Sequence, residues 1–362
     1  MTARWTATCA PLPVLCGALL FAGSSRVSAL AQGGHRTGGL IDAADRSRMA
    51  IAFRADAQCT GEAPGARAGH ALAYDRHEAR TLMFGGASPD VANALPSSLW
   101  AWDGRRWQCL APDGPPGRTD AELAYDPARR RLVLYGGRRR LQGQQRVLTD
   151  TWEWDGARWS LRDSAGPGAR VHMVMAYDSA LRGIVLHGGG SEKSALHDTW
   201  LWDGKAWKPL TVRADSSAIP NAMVTAASES ALLVSAFPNS ATDRTGLFRA
   251  GLSELRDARW AAVAGLGPAF SPLAPAARTA RGLMLYAGWP PDGDAAAWLF
   301  ADGKWTATAR PPPRRRSARL VYDERRGRVV LFGGEDSSGL LADIWEWEGR
   351  RWEQVTPRAR DH

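Results

Sequence analysis

Short apolar runs, some alternating with polar residues and some unbroken, follow one another along most of the chain, set apart by glycines, Asp-Gly pairs and arginine-rich links. Alternation through His70, Leu72 and Tyr74 predicts a strand with one buried face. The next run, such as Leu132-Val133-Leu134-Tyr135, is unbroken and predicts a strand buried on both faces. It stops at Gly-Gly, where the backbone can take positive φ or approach a neighbour closely. Trp-x-Trp-Asp-Gly then predicts a third strand running into a tight hairpin, because Asp-Gly suits a two-residue primed turn. A fourth, outer strand opens with another tryptophan.

This order recurs. Arg67, Tyr74-Asp75, Gly85-Gly86, Trp100, Trp102-Asp103-Gly104 and Trp107 form the first copy. The second carries Arg118, Tyr125-Asp126, Gly136-Gly137 and Trp159; the third Arg170, Tyr177-Asp178, Gly188-Gly189 and Trp207; the last Arg315, Tyr322-Asp323, Gly333-Gly334 and Trp352. Gly188 and Gly333 are 145 positions apart, three steps of the same length, so two worn copies belong between them. Ser235-Ala236 and Ala287-Gly288 stand where their glycine pairs should be, and Trp260 and Trp305 keep the closing tryptophan. The fixed place of the tryptophans in every copy explains most of the 17 as packing between repeats rather than as sugar-stacking platforms.

An apolar strand ending in Gly-Gly, aromatic residues after it and a tryptophan some way beyond resemble the kelch-repeat family, strongly in four copies and weakly in two. The resemblance implies an all-β fold, a six-bladed kelch-type β-propeller with four antiparallel strands per blade closing in a ring. The expected blades are 67–110, 118–161, 170–210, 217–263, 269–308 and 315–356, within a propeller of residues 60–357 and ahead of a tail, 358–362. The family contains binding modules and also a copper enzyme, galactose oxidase, so it implies no single activity.

Residues 1–31 hold no acidic residue, carry Arg4 near the start, an apolar stretch from Pro11 to Ala22, and Ala29-Leu30-Ala31 at the end. That is the three-part pattern of a cleaved signal peptide, and the apolar stretch is too short to span a bilayer. The expected mature chain is secreted or periplasmic, with 32–59 a linker in which Met49 to Phe53 would add a closing strand. Of the four cysteines, Cys59 and Cys109 remain after cleavage. An oxidising compartment invites their pairing, whereas equivalent places in neighbouring repeats would hold them apart; the sequence leaves both outcomes open.

Hydrophobic residues at 44% and charged residues at 23% exclude wholesale disorder. The net charge of +9 comes with no nucleic-acid motif, so arginine reads as the default solvated cation and no nucleic-acid partner is expected. The copper-oxidase pattern is not matched: all six tyrosines have places in the repeat, and no two histidines have metal-ligand spacing. His172, His187 and His197 share one repeat, but His187 occupies an aromatic slot and reads as a buried core residue. No catalytic residue, metal or cofactor is assigned, and the chain is expected to be monomeric without a membrane span.

The long loops between second and third strands and the blade crossings fall on one face, where recognition concentrates. A binding module for an anionic glycan or a protein is therefore the reading, with a carbohydrate-active or oxidative enzyme as the alternative. Candidate ligand residues are the cationic loop Arg138, Arg139 and Arg140, together with His197. A ring of guanidiniums from Arg67, Arg118, Arg170 and Arg315 around one channel mouth completes the set. Export has a direct check: Edman sequencing of the protein from periplasm or medium is expected to begin at Gln32, and a retained Met1 would contradict it.

Overall fold

The structure is a computed structural model, and it describes residues 59, 61–89, 95–191, 194–214, 232–238, 248–257, 259–264, 267–270, 274–288 and 297–358. Residues 1–31 and the Met49 to Phe53 segment lie outside the described residues. All described residues belong to the compact unit Ser47–His362.

The chain folds into antiparallel four-stranded sheets laid one after another. Blade 1 is β1 (Ala71–Asp75), β2 (Arg80–Phe84), β3 (Leu99–Trp102) and β4 (Trp107–Ala111). Blade 2 is β5 (Glu122–Asp126), β6 (Arg131–Tyr135), β9 (Thr151–Trp154) and β10 (Trp159–Asp163), with a separate hairpin, β7 (Arg138–Leu141) and β8 (Gln144–Val147), between its second and third strands. Blade 3 is β11 (Val174–Asp178), β12 (Gly183–His187), β13 (Thr199–Trp202) and β14 (Trp207–Leu210).

The next sheet differs. β16 (Leu232–Pro238), β17 (Phe248–Arg256) and β18 (Arg259–Ala264) are antiparallel, β15 (Arg213–Ala214) lies parallel along β18, and β19 (Ala269–Phe270) pairs with β17. Two regular sheets follow: β20 (Ala276–Thr279), β21 (Gly282–Tyr286), β22 (Ala297–Ala301) and β23 (Lys304–Ala307); then β24 (Arg319–Asp323), β25 (Arg328–Phe332), β28 (Ile344–Trp347) and β29 (Trp352–Val355). A small hairpin, β26 (Glu335–Asp336) and β27 (Gly339–Leu340), interrupts the last one. The fold is an all-β propeller. Five of its sheets are regular four-stranded blades, not the six expected; the exception is the worn copy that lacks its glycine pair.

Why do these residues make these blades? The strand before Gly-Gly is buried on both faces, as its unbroken apolar run requires: Leu132, Val133, Leu134 and Tyr135 are fully buried. The inner strands β1, β5 and β11 lie side by side, as do β20 and β24, and β1 meets β24, so the first and last blades are neighbours. Neighbouring blades lock through aromatics. The closing tryptophan of one blade stands edge-on against the aromatic before the glycine pair of the preceding blade: Trp159 on Phe84, Trp207 on Tyr135, and Trp107 on Phe332 across the seam. His187 presents the same edge to Trp260, so the irregular sheet packs on blade 3 by the contact the regular blades use.

Polar groups repeat with equal regularity. Trp202 donates to Glu153 of blade 2 at 2.8 Å, and Trp102 donates to Glu346 of the last blade at 3.1 Å. Each glutamate is fixed by an arginine, Arg129 or Arg326, that also holds the Tyr-Asp aspartate of its own blade. Those arginines lie beneath the hairpin glycine of the following blade; a Cβ on Gly204 or Gly104 would come within 2.6 Å or 2.5 Å of the guanidinium. A side chain at either glycine would have to displace that guanidinium and adopt a left-handed backbone.

Cys59 and Cys109 pair, with Cα atoms 5.9 Å apart. The symmetry argument against pairing fails because Cys59 belongs to no outer strand. It lies on the segment entering blade 1, which runs beside that blade's outer strand as β15 runs beside β18 and Ala309 beside Arg351. The crosslink pins this entry at the seam, where Cys59, Cys109 and Val355 join the cluster formed by blade 1 and the last blade. Closing a loop of this length, 50 residues, constrains the unfolded chain by about 4 kcal/mol in the loop-entropy account. Cys109→Ser is therefore expected to lower stability in denaturant titration by about 2–4 kcal/mol. The same loss should appear in the parent protein under reductant, and unchanged unfolding would show the staple to be idle.

Candidate functional site

The four repeated arginines come first, because the structure removes them from the ligand list. Arg118, Arg170 and Arg315 are almost wholly buried and Arg67 nearly so. Each turns into its own blade, donating to the carbonyl of the first glycine of the pair: Arg67 to Gly85, Arg118 to Gly136, Arg170 to Gly188 and Arg315 to Gly333. In three blades the fork also closes on an aspartate, Asp150, Asp198 or Asp343, which accepts in turn from Trp152, Trp200 or Trp345. In blade 1, Ser98 takes the aspartate's place beneath Trp100. Burial pushes the Asp150 and Asp198 carboxyls up, but the hydrogen bonds and charge of their arginines outweigh it and hold both below the usual range. The expected ring of ligand-facing guanidiniums is therefore corrected: these are blade clamps whose donors are already taken.

The centre of the ring is different. A cavity of about 150 Å³ lies between the inner strands, floored by the small side chains of Ala73, Ala124 and Ala176. Pairing across each blade defines a slot at the start of the inner strand, opposite the aromatic before the glycine pair: Ala71, Glu122, Val174 and Arg319. Two blades fill it with apolar residues and two with opposite charges. Arg319 donates through Nε to the His70 carbonyl at 2.8 Å, and no other hydrogen bond holds it among the described residues. The Glu122 carboxylate accepts none from any described residue. Burial raises its carboxyl to about 7, with Arg319 pulling the other way. Both side chains line the cavity, as does His172.

His172 sits at the mouth for a backbone reason. Gly69, Asp120, His172 and Ser317 occupy equivalent places two residues after the clamps, all with φ between 55° and 64°. Their amides and carbonyls join around the mouth: Gly69 donates to Ser317, Asp120 to Gly69, and His172 to Asp120. Glycine suits this conformation, and the three other residues adopt it at a cost of about 1–2 kcal/mol each. Asp120 accepts from Arg138 Nε at 2.8 Å and lies 3.8 Å from His172 Nδ1. Burial lowers His172 to about 4, Asp120 opposing and Arg319 and Arg138 assisting. At neutral pH the imidazole is therefore uncharged, and it shares the cavity lining with the Arg319 guanidinium and the Glu122 carboxyl.

Among the other sequence candidates, Arg138 reaches this mouth through Asp120, Arg139 and Arg140 lie farther along the β7–β8 hairpin, and His197 is exposed in a loop. His187 is buried, bonded to Thr199 at 2.8 Å, and lowered to about 4 chiefly by burial. Among the described residues no group of three or more His, Cys, Asp or Glu side chains is placed to hold a metal, and no helix is long and apolar enough to cross a membrane. Sequence reasoning missed Glu122, Arg319 and Asp120, although one signal was present: they break the repeat at positions where every blade has the same structural task.

No protein-family model matches the chain, and no curated protein matches it. Among solved structures it is similar to that of YjhT, with 12% identity over 82% of this chain and 99% of that one, at a TM-score of 0.56. That likeness shows the fold alone.

The buried histidines make a stability prediction. His70 is fully buried between Phe332 and the glycine pairs, and burial, Arg319 and Arg67 hold it well below 6.5. For His70, His172 and His187 the unfolded chain takes up protons first, so their contribution is complete above pH 6.5 and is lost as pH falls toward 4. Glu122, raised to about 7, has the opposite sign between pH 4.5 and 7 but is one group against three. Stability is expected to peak near pH 6.5 and to fall below it by up to about 1.4 kcal/mol per pH unit for each histidine. His70→Met, the residue blade 3 carries there as Met173, should flatten the acid limb; an unchanged limb would clear His70 of any part in it.

Proposed function

We propose that the chain is an exported, kelch-type propeller of six blades that binds a small carboxylate-bearing sugar at the mouth of its central channel. The sixth place in the ring goes to the β15–β19 sheet. Two contacts support that count: Trp260 against His187 on one side, and Leu252 with Phe270 packed against Leu283 and Leu285 on the other. Exporting the chain suits a propeller whose entry segment is tied by a disulfide.

One observation carries the binding reading. Glu122 and Arg319 bring opposite charges into a shared cavity with hydrogen-bonding capacity that no described residue uses, in a slot other blades fill with Ala71 and Val174. Arg319 offers a planar fork to a carboxylate, while Glu122 and the neutral His172 offer acceptors and donors to hydroxyls. A second reading, a carbohydrate-active enzyme, has its own support: a carboxyl raised to about 7 beside an uncharged imidazole is a combination suited to acid–base work.

Calorimetric titration with galacturonate, and with galactose as the neutral control, tests binding. Arg319→Met is expected to weaken galacturonate binding by about 10- to 100-fold, the value of a hydrogen-bonded charge. Glu122→Gln should instead remove the change in affinity between pH 6 and 8. If neither sugar binds, or if both variants bind as the parent does, the channel is not the site. Turnover of either sugar that Glu122→Gln abolishes would favour the enzyme.

A further inference from the structure

Between the second and third strands of blade 2 the chain makes the β7–β8 hairpin, which belongs to no blade. Its turn, Gln142-Gly143, has φ of 50° and 80°, the two positive values a primed turn needs. Arg138 anchors the base through Asp120. Beyond it, residues 140–146 are all exposed. The segment Arg138 to Val147 contains four arginines and no acidic residue.

The register adds a second observation. Arg139 faces Arg146 directly across the hairpin, and Arg140 faces Gln145. Like charges directly opposite one another destabilise a strand pair, and a lone two-stranded hairpin is marginal in water to begin with. Arg140 and Arg146 donate to neutral acceptors, the Gly143 carbonyl and the Gln144 side chain, each at 3.0 Å. The same place in the last blade carries β26–β27 with Glu335 and Asp336, so the blade itself does not call for arginine there.

We propose that the β7–β8 hairpin is a docking arm for an anionic polysaccharide, whose oxyanions sit between the Arg139 and Arg146 guanidiniums while Gln142 and Gln144 meet its hydroxyls. An oxyanion between the two guanidiniums turns a repulsive pair into two charge-assisted contacts. The arm has no aromatic ring on which a nucleobase would stack. Its one exposed apolar side chain at the tip, Leu141, is too little for a membrane or a protein hot spot. Glutamine amides beside arginine forks match an acidic sugar chain. The exposed part of the arm, residues 140–146, does not line the channel cavity, and the reading holds whether or not a small sugar binds there.

The test uses the full mature chain with polygalacturonate, heparin, neutral dextran and duplex DNA. Binding to polygalacturonate or heparin but not to dextran is expected, weakening as salt rises, and the tighter of the two assigns carboxylate or sulfate. Arg146→Glu places a carboxylate opposite Arg139, so it should keep or raise the melting temperature while cutting polysaccharide affinity at least tenfold. Arg140→Gln with Arg146→Gln provides the same loss without a new charge. Three results would overturn the proposal: no binding to either acidic polysaccharide, unchanged affinity in both variants, or DNA bound as tightly as the polysaccharide. The channel is tested with a monosaccharide, so the two readings fail separately.

Discussion

The ring rests on one relay of hydrogen bonds that passes from blade to blade. At three joints, the seam and those between blades 1, 2 and 3, the second glycine of the pair donates its amide to the carbonyl of the next blade's clamp arginine: Gly86 to Arg118 at 2.9 Å and Gly137 to Arg170 at 3.0 Å. That arginine's guanidinium then donates to the first glycine carbonyl of its own blade. The approach is so close that a Cβ on Gly85 or Gly136 would stand 2.4 Å or 2.7 Å from the arginine carbonyl. Glycine is thus required twice over, by positive φ and by the lack of room. Removing a clamp would leave a glycine carbonyl and, in three blades, an aspartate without the donors that answer them, and a polar group left unanswered costs more than a made bond contributes.

Closure reuses the same parts. Gly334 donates to Arg67 at 2.9 Å, so the relay crosses from the last blade to the first without change of chemistry. Trp107 on Phe332 and Trp102 to Glu346 repeat contacts made elsewhere between consecutive blades. What the seam lacks is chain continuity, and the Cys59–Cys109 crosslink does not bridge it but ties the entry segment to blade 1's own outer strand beside it. The seam therefore carries the same non-covalent contacts as the joints between blades 1, 2 and 3, and the disulfide fixes the entry segment next to it.

Periodicity made the blades legible. Strand order, the two-face burial of the Gly-Gly strands and the packing role of the tryptophans all follow from spacing. The Asp-Gly pairs do mark hairpins, but in blades 1 to 3 these are four-residue loops closed by the Asp carboxylate, not the two-residue primed turns expected. The worn copy after blade 3 was placed from Trp260, yet its altered sheet was not: Ser235-Ala236 keeps neither glycine, whereas Ala287-Gly288 keeps the second one and a regular blade with it. The arginine clamps were misplaced for a specific reason. Spacing put them at the start of an inner strand, but only the structure shows that Asp150, Asp198 and Asp343, some thirty residues later, receive them. Pairing of Cys59 with Cys109 was equally out of reach, since it depends on how an entry segment with no preceding blade lies against β4.

A repeat protein carries its own control experiment, and the candidate site is read from it. Arginines that recur at one position in four blades have one structural task, and the buried fork-to-carbonyl bonds are that task. The channel slot occupied by Ala71, Glu122, Val174 and Arg319 has no such uniformity, so blade packing is indifferent to its charge. The mouth position is stricter, for every residue there must take positive φ; glycine would do so without strain, yet Asp120, His172 and Ser317 stand where Gly69 stands in blade 1. Strain accepted at a position open to a relaxed alternative points to work done by the side chain. Two of the three, Asp120 and His172, belong to the neighbouring blades 2 and 3 at the mouth of the cavity, where Arg138 steadies Asp120 and Asp120 faces His172. Recognition thus occupies the places where the repeat departs from itself, held by a frame in which it does not.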